Sequence, residues 1–130
     1  MPSDKLRLLA LDGGGIRGLS SLVILSELMA TVDPELPPRP CDYFDMIGGT
    51  STGGLIAIML GRLRMTVAEC IEAYMFLSER VFKKETHRKI NGKLQARSGT
   101  VELAEAIKQI LRARGLDDDT LLKDDGPCKV

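Results

Sequence analysis

The chain carries no surplus of either charge. Lysine plus arginine and aspartate plus glutamate both number 18 in 130 residues, for a formal net charge of +0. A nucleic-acid binder ordinarily shows a clear basic excess, so no nucleic-acid partner is expected. Cysteine is scarce: Cys41, Cys70 and Cys128 are odd in number, far apart and without metal-ligand spacing. That usage favours reduced thiols in an intracellular compartment and offers no metal site. No apolar run approaches the roughly 20 residues of a membrane span. Asp4, Lys5 and Arg7 stand where a signal peptide would begin its apolar stretch. A cytoplasmic chain is expected, with any membrane contact peripheral. Histidine is nearly absent as well, and the single one, His87, lies in a polar basic segment where a solvated role is the ordinary one. No internal repeat is present.

What remains describes one folded domain. Hydrophobic residues make up 44% and charged residues 28% of the chain, and 130 residues support a single core. Lys83, Lys84, Arg88, Lys89 and Lys93 form a basic stretch and Asp117, Asp118 and Asp119 an acidic one, both read as solvated surface.

Leu6–Leu11 is a short apolar run closed by Asp12 and three glycines, which predicts a buried strand. Apolar residues at 19, 22, 23, 25, 28 and 29 predict a helix from Leu19 to Ala30. Pro34, Pro37, Pro38 and Pro40 predict a loop over 33–41. A second strand is expected over Tyr43–Ile47, stopped by Gly48 and Gly49, and then a buried helix over Leu55–Leu60 ending at Gly61. Thr66 and Glu69 form a capping box that opens a helix reaching about Phe82. Residues 83–99 read as a polar loop. Thr100 is expected to cap a last helix with Val101, Ala104, Ile107, Ile110 and Leu111 on one face and Gly115 as its stop. Pro127–Val130 resembles the start of another strand. This order predicts an α/β fold with a partly parallel sheet and flanking helices, the front portion of a larger domain.

Two glycine-rich turns carry the chemistry. Gly49, Thr50, Ser51, Thr52 and Gly53 match G-x-S-x-G, with a strand before and an apolar helix after. That context is the one in which a serine on a strained turn becomes a nucleophile at a helix N-terminus. A glycine-rich turn kept only for packing is the plainer reading. Gly13, Gly14, Gly15, Arg17 and Gly18 lie in a second strand-to-helix turn, DGGGIRG. Its G-x-G-x-x-G spacing admits a dinucleotide site, which also needs an acidic residue ending a strand about 20 residues on. Asp33 lies at that distance but opens the proline loop, and no Gly-Lys-Ser/Thr follows to make a P-loop. The competing reading is an oxyanion hole made by glycine N–H groups, with Arg17 adding charge or holding the loop. In a parallel sheet both turns leave by the same edge and can converge on one carbonyl.

DGGGIRG followed by FDMIGGTSTGG resembles the patatin-like phospholipases, from about Lys5 to Leu60 and more weakly beyond. The resemblance implies a three-layer α/β/α domain of which residues 1–130 are the N-terminal part. It implies Ser51 as nucleophile and Gly13, Gly14, Gly15, Arg17 and Gly18 as the oxyanion motif. It also implies a Ser–Asp dyad without histidine, acting on phospholipid or acylglycerol esters without calcium or another cofactor, at a membrane or lipid-droplet surface. The dyad aspartate of that family follows a later strand in an Asp-Gly-Gly or Asp-Gly-Ala motif. Here only Asp125-Gly126-Pro127 approaches it, with proline in place of the small residue and a strand after it instead of before. The base is therefore expected outside this chain, and a fragment without turnover is the rival expectation. Met59, Met65, Met75 and Phe76 are candidates for an acyl channel, with core packing the plainer reading of each.

Overall fold

A computed structural model of the chain describes residues 5–82 and 92–130. His87 and the basic segment from Lys83 to Lys89 fall outside the described residues. Two compact units are present, residues 5–71 with Leu121–Val130 and residues 72–120.

The first unit is built on parallel strands. β1 (Leu8–Leu11) pairs with β2 (Met46–Gly49) in the register Leu8 to Met46 and Leu11 to Gly49. Because side chains alternate along a strand, Leu9, Leu11 and Ile47 share one face and Leu8, Ala10 and Met46 the other. The first face is the core: Ile47 is fully buried, with Leu22, Met29, Ile56 and Leu60 also within it. On the other face Leu8 and Met46 are exposed, and a Cβ at Gly48 would meet nothing. Lys129 adds a parallel bridge to Met46 on the free side of β2. Ile47 N–H donates to Lys129 O at 2.8 Å and Lys129 N–H to Asp45 O at 2.9 Å, so of the strand start expected at Pro127–Val130 a single bridging residue pairs.

Between the strands, α1 (Gly18–Val32) buries Gly18, Leu22, Leu25 and Met29, an i, i+4, i+7, i+11 stripe. The proline loop ends earlier than expected. Pro40 opens a short helix, α2 (Pro40–Tyr43), because proline's fixed φ and missing N–H suit the first helical position. Tyr43 therefore belongs to α2, and β2 begins at Met46 and takes in both glycines that were expected to stop it.

After β2 comes α3 (Thr52–Ala57), which continues as a wider π turn over Ile58–Arg62. Leu63 N–H reaches back to Ile58 O at 3.0 Å in an i→i−5 bond. Gly61 does not end the helix. A Cβ there would lie 2.5 Å from Val130 Cγ2, so glycine is what lets the last strand residues pack against this turn.

α4 (Val67–Leu77) opens with the predicted capping box, both halves formed. Glu69 N–H donates to Thr66 Oγ1 at 3.1 Å and Thr66 N–H to Glu69 Oε1 at 3.0 Å. It leads into a wide turn over Ser78–Phe82 that packs on α5 (Gly92–Ala113) in the second unit. Residues 92–99, expected as part of a polar loop, are already helical, so Thr100 lies inside α5 instead of opening it. Of the expected inward face, Ile110 is buried and Ile107 and Leu111 are half-buried, but Val101 and Ala104 are exposed, and Ala106, not expected there, is fully buried. The apolar spacing admits two overlapping stripes, and the one centred on Ala106, whose small side chain allows close approach, is the one used. Gly115 does stop the helix, with φ +74. Leu116 N–H bonds Leu111 O at 2.9 Å and Gly115 N–H bonds Arg112 O at 2.9 Å, the paired bonds of a Schellman ending.

Met59 and Met65 are core residues. Met75 is not, being exposed on α4, and Phe76 lies under the Arg80 guanidinium at 5.2 Å.

Candidate active site

Both glycine-rich turns leave the C-terminal ends of their strands, β1 into residues 12–17 and β2 into residues 50–51, so they meet at one edge of the sheet. Thr50 N–H donates to Leu11 O at 3.2 Å, which continues the pairing beyond the strands.

Ser51 has φ 55 and ψ −127, a combination that L residues avoid. The turn is held in that shape by what surrounds it. Gly53 N–H donates to Thr50 O at 3.0 Å and Gly54 N–H to Ser51 O at 2.9 Å. A Cβ on Gly49 would fall 2.5 Å from Gly53 C and O and 2.7 Å from Leu11 O. A Cβ on Gly53 would strike Leu11 O and come within 2.8 Å of Leu11 C. Glycine is therefore obligatory on both sides of the serine. Ser51 itself is exposed, and its hydroxyl does not cap α3. It stands directly before the first turn of the continuous helical stretch from Thr52 to Arg62, where the peptide dipoles favour negative charge.

The second turn lies against the first. A Cβ on Gly13 would sit 2.7 Å from Ser51 Cβ, 2.8 Å from Thr50 O and 3.4 Å from Ser51 Oγ. Gly14 N–H donates to Thr52 Oγ1 at 3.3 Å. Gly15 takes φ +58 with open space around it, so there the requirement is conformational and not steric. Gly18 is buried as the first residue of α1. Arg17 is exposed, and both its backbone N–H (3.1 Å) and its Nε (3.4 Å) approach Gly14 O. Its contacts are those of a residue that holds the loop.

The acidic residues weighed from the sequence are elsewhere. Asp33 Oδ1 accepts from the N–H groups of Glu35 and Leu36, both at 3.1 Å, so its carboxylate is occupied at the head of the proline loop. That leaves the dinucleotide reading without its ribose-binding group. Asp125 precedes the residue that pairs with Met46, at the start of β2, and so lies off the opposite sheet edge from Ser51. Among the described residues no carboxylate is hydrogen-bonded to Ser51, and no three His, Cys, Asp or Glu side chains are arranged to hold a metal ion. No described helix is long and apolar enough to cross a membrane.

The feature least visible in the sequence is the hydroxyl of Thr52. Spacing marks this residue only as one position of the motif. The available signal was a lone threonine opening an otherwise apolar helix.

Comparison with known proteins identifies the family. The family model for patatin-like phospholipases matches residues 9–128. Phospholipase A I of Arabidopsis thaliana is 42% identical over 82 residues, which cover 63% of this chain and 6% of that protein. Patatin-like protein 1 of Oryza sativa subsp. indica is 41% identical over 92 residues, covering 65% of this chain and 22% of that protein. Calcium-independent phospholipase A2-gamma of Rattus norvegicus is 44% identical over 78 residues, covering 59% of this chain and 9% of that protein. The matched stretch thus spans 22% or less of the length of each of these relatives. No solved structure matches. With a strand–turn–serine–helix unit seated against a glycine loop and a family match over nearly its whole length, the chain belongs to the patatin-like phospholipase family.

Proposed function

We propose that this chain supplies the nucleophile and oxyanion half of a serine lipid acyl hydrolase acting on phospholipid or acylglycerol esters. The observation that carries the reading is Ser51 at φ 55 and ψ −127 with Gly13 packed against its side chain. A strained backbone that exposes a hydroxyl beside a glycine loop has a stability cost that a plain packing turn has no reason to bear. The phospholipase names of two relatives support the lipid ester as substrate. The protein works on that substrate from the cytoplasmic side of a membrane or lipid-droplet surface.

The reaction has two steps. An aspartate takes the Ser51 hydroxyl proton as Oγ attacks the ester carbonyl carbon. The carbonyl oxygen becomes anionic and accepts from the glycine turn, where the Gly13 amide faces Ser51 and the Gly14 amide, expected as a further donor, is directed to Thr52 Oγ1 instead; such a donor is worth about 3–4 kcal/mol in the transition state of comparable sites. The C–O bond to the alcohol breaks, the proton passes to the leaving oxygen, and an acyl-Ser51 ester remains. Water, deprotonated by the same aspartate, releases the fatty acid. In this reading the aspartate comes from outside residues 1–130, which is supported by the position of Asp125 toward the far edge of the sheet.

Release of fatty acid from a radiolabelled phospholipid by the complete protein tests the reading. Ser51→Ala is expected to abolish it, and substantial residual turnover would refute the assignment. The absence of a hydrogen-bonded base at Ser51 favours a second reading for the isolated chain, a scaffold without turnover. Measurable hydrolysis by residues 1–130 alone would exclude that second reading.

A further inference from the structure

The glycine loop and the serine turn are joined at two successive positions with the same offset. Gly13 lies against Ser51, and one residue on, Gly14 N–H donates to Thr52 Oγ1 across 38 residues of chain. Thr52 is 6% exposed, and among the described residues only it and Tyr74 are buried side chains that carry a hydroxyl. Burying a hydroxyl is unfavourable unless it is hydrogen-bonded, and valine would fill the same space without that cost. The bond to Gly14 is what accounts for a threonine here.

Gly14 is held from both sides. Its carbonyl accepts from Arg17, and its N–H is taken by Thr52. Its neighbour Gly15 is at φ +58, in a region that gives a glycine chain little stiffness of its own. By contrast, Thr52 is β-branched and sits on the first turn of a buried helix, so its hydroxyl has few directions available. No hydrogen bond to Gly13 N–H is found among the described residues, which leaves that amide for a substrate oxygen.

We infer that Thr52 is a positioning residue: its hydroxyl anchors the Gly14 amide and so keeps the glycine loop seated on Ser51. The inference rests on the reading of Ser51 as the nucleophile. Thr52 touches no reacting atom. It acts through Gly14, and its loss affects the step in which the oxyanion forms more than the encounter with substrate.

Two measurements test this. Labelling of the complete protein by a fluorophosphonate separates the maximal rate from the half-saturating concentration. Thr52→Val is expected to lower the maximal rate about tenfold, equivalent to about 1.4 kcal/mol, with the half-saturating concentration unchanged. Thr52→Ser, which keeps the hydroxyl, is expected to recover most of the rate. Amide hydrogen exchange of the unsubstituted protein supplies the second measurement and needs no variant to fold. Gly14 N–H is expected to exchange more slowly than Gly13 N–H, and faster in Thr52→Val than in Thr52→Ser. Equal exchange at Gly13 and Gly14 would overturn the anchor. Faster Gly14 exchange in Thr52→Val with unchanged labelling would overturn the positioning role. An unsubstituted protein that takes no label would instead overturn the nucleophile reading and this inference with it.

Discussion

Gly53→Ala is the substitution for which the structure makes the sharpest claim, because two effects oppose each other and their signs differ. Gly53 lies in the first turn of α3. Helix propensity alone would favour alanine there by up to about 1 kcal/mol. The new methyl, however, would strike Leu11 O and lie 2.8 Å from Leu11 C and 2.9 Å from Asp12 C. All three are backbone atoms at the end of β1, so no side chain can swing aside. Overpacking of this kind costs about 1–3 kcal/mol, and contact with paired backbone belongs at the upper end. The net expectation is a loss of about 2 kcal/mol, or roughly 8 °C in Tm for a chain of this size. Gly48→Ala is the control, since its Cβ would meet nothing and its stability should stay within about 0.5 kcal/mol of the parent. Urea denaturation followed by circular dichroism measures both. A Gly53→Ala protein as stable as the parent would refute the close approach of the two turns, and with it the basis for their acting together. The same displacement of Asp12 and Gly13 should reduce labelling of Ser51 even where the protein remains folded.

Two further outcomes follow from the titratable groups. Asp118 is held below its ordinary value of 3.8 by hydrogen bonds from Arg112, and Asp124 by the Gly126 N–H and then by Arg62 and Arg64. Carboxylates depressed in the folded state stabilise it above their unfolded value, and that stability disappears as pH falls through the folded values. Acid unfolding of Asp118→Asn should therefore be less steep below about pH 4, and an unchanged profile would contradict the pairing. Burial pushes the Cys70 thiol up to about 12, so Ellman's reagent at about pH 8 should modify it only as the protein unfolds. Rapid modification of Cys70 in the native protein would contradict its burial.

Much of the site was legible because local chemistry dictates it. The two glycine turns, the Thr66–Glu69 box and the Gly115 stop each depend on residues within a few positions of one another. The convergence of the turns also followed from the sequence, since parallel strands send their C-terminal ends to one edge. Other features depended on partners far along the chain. Whether Gly48 and Gly49 end β2 or belong to it is decided by pairing with Ala10 and Leu11. Gly61 is explained by Val130, and Thr52 by Gly14. Pro40 departs from expectation for a different reason: proline breaks a helix interior but begins a helix well, and the sequence alone does not say which. In α5 the apolar residues admit two faces, and only packing against Ser78–Phe82 distinguishes them.

The central claim is that Ser51 is an activated nucleophile and not merely a residue in a tight turn. Its most direct test is reaction of the folded, complete protein with a fluorophosphonate, followed by mass spectrometry of the digested product. One phosphonylated peptide is expected, carrying the adduct on Ser51. A folded protein that takes up no adduct, or takes it up at another serine, would contradict it.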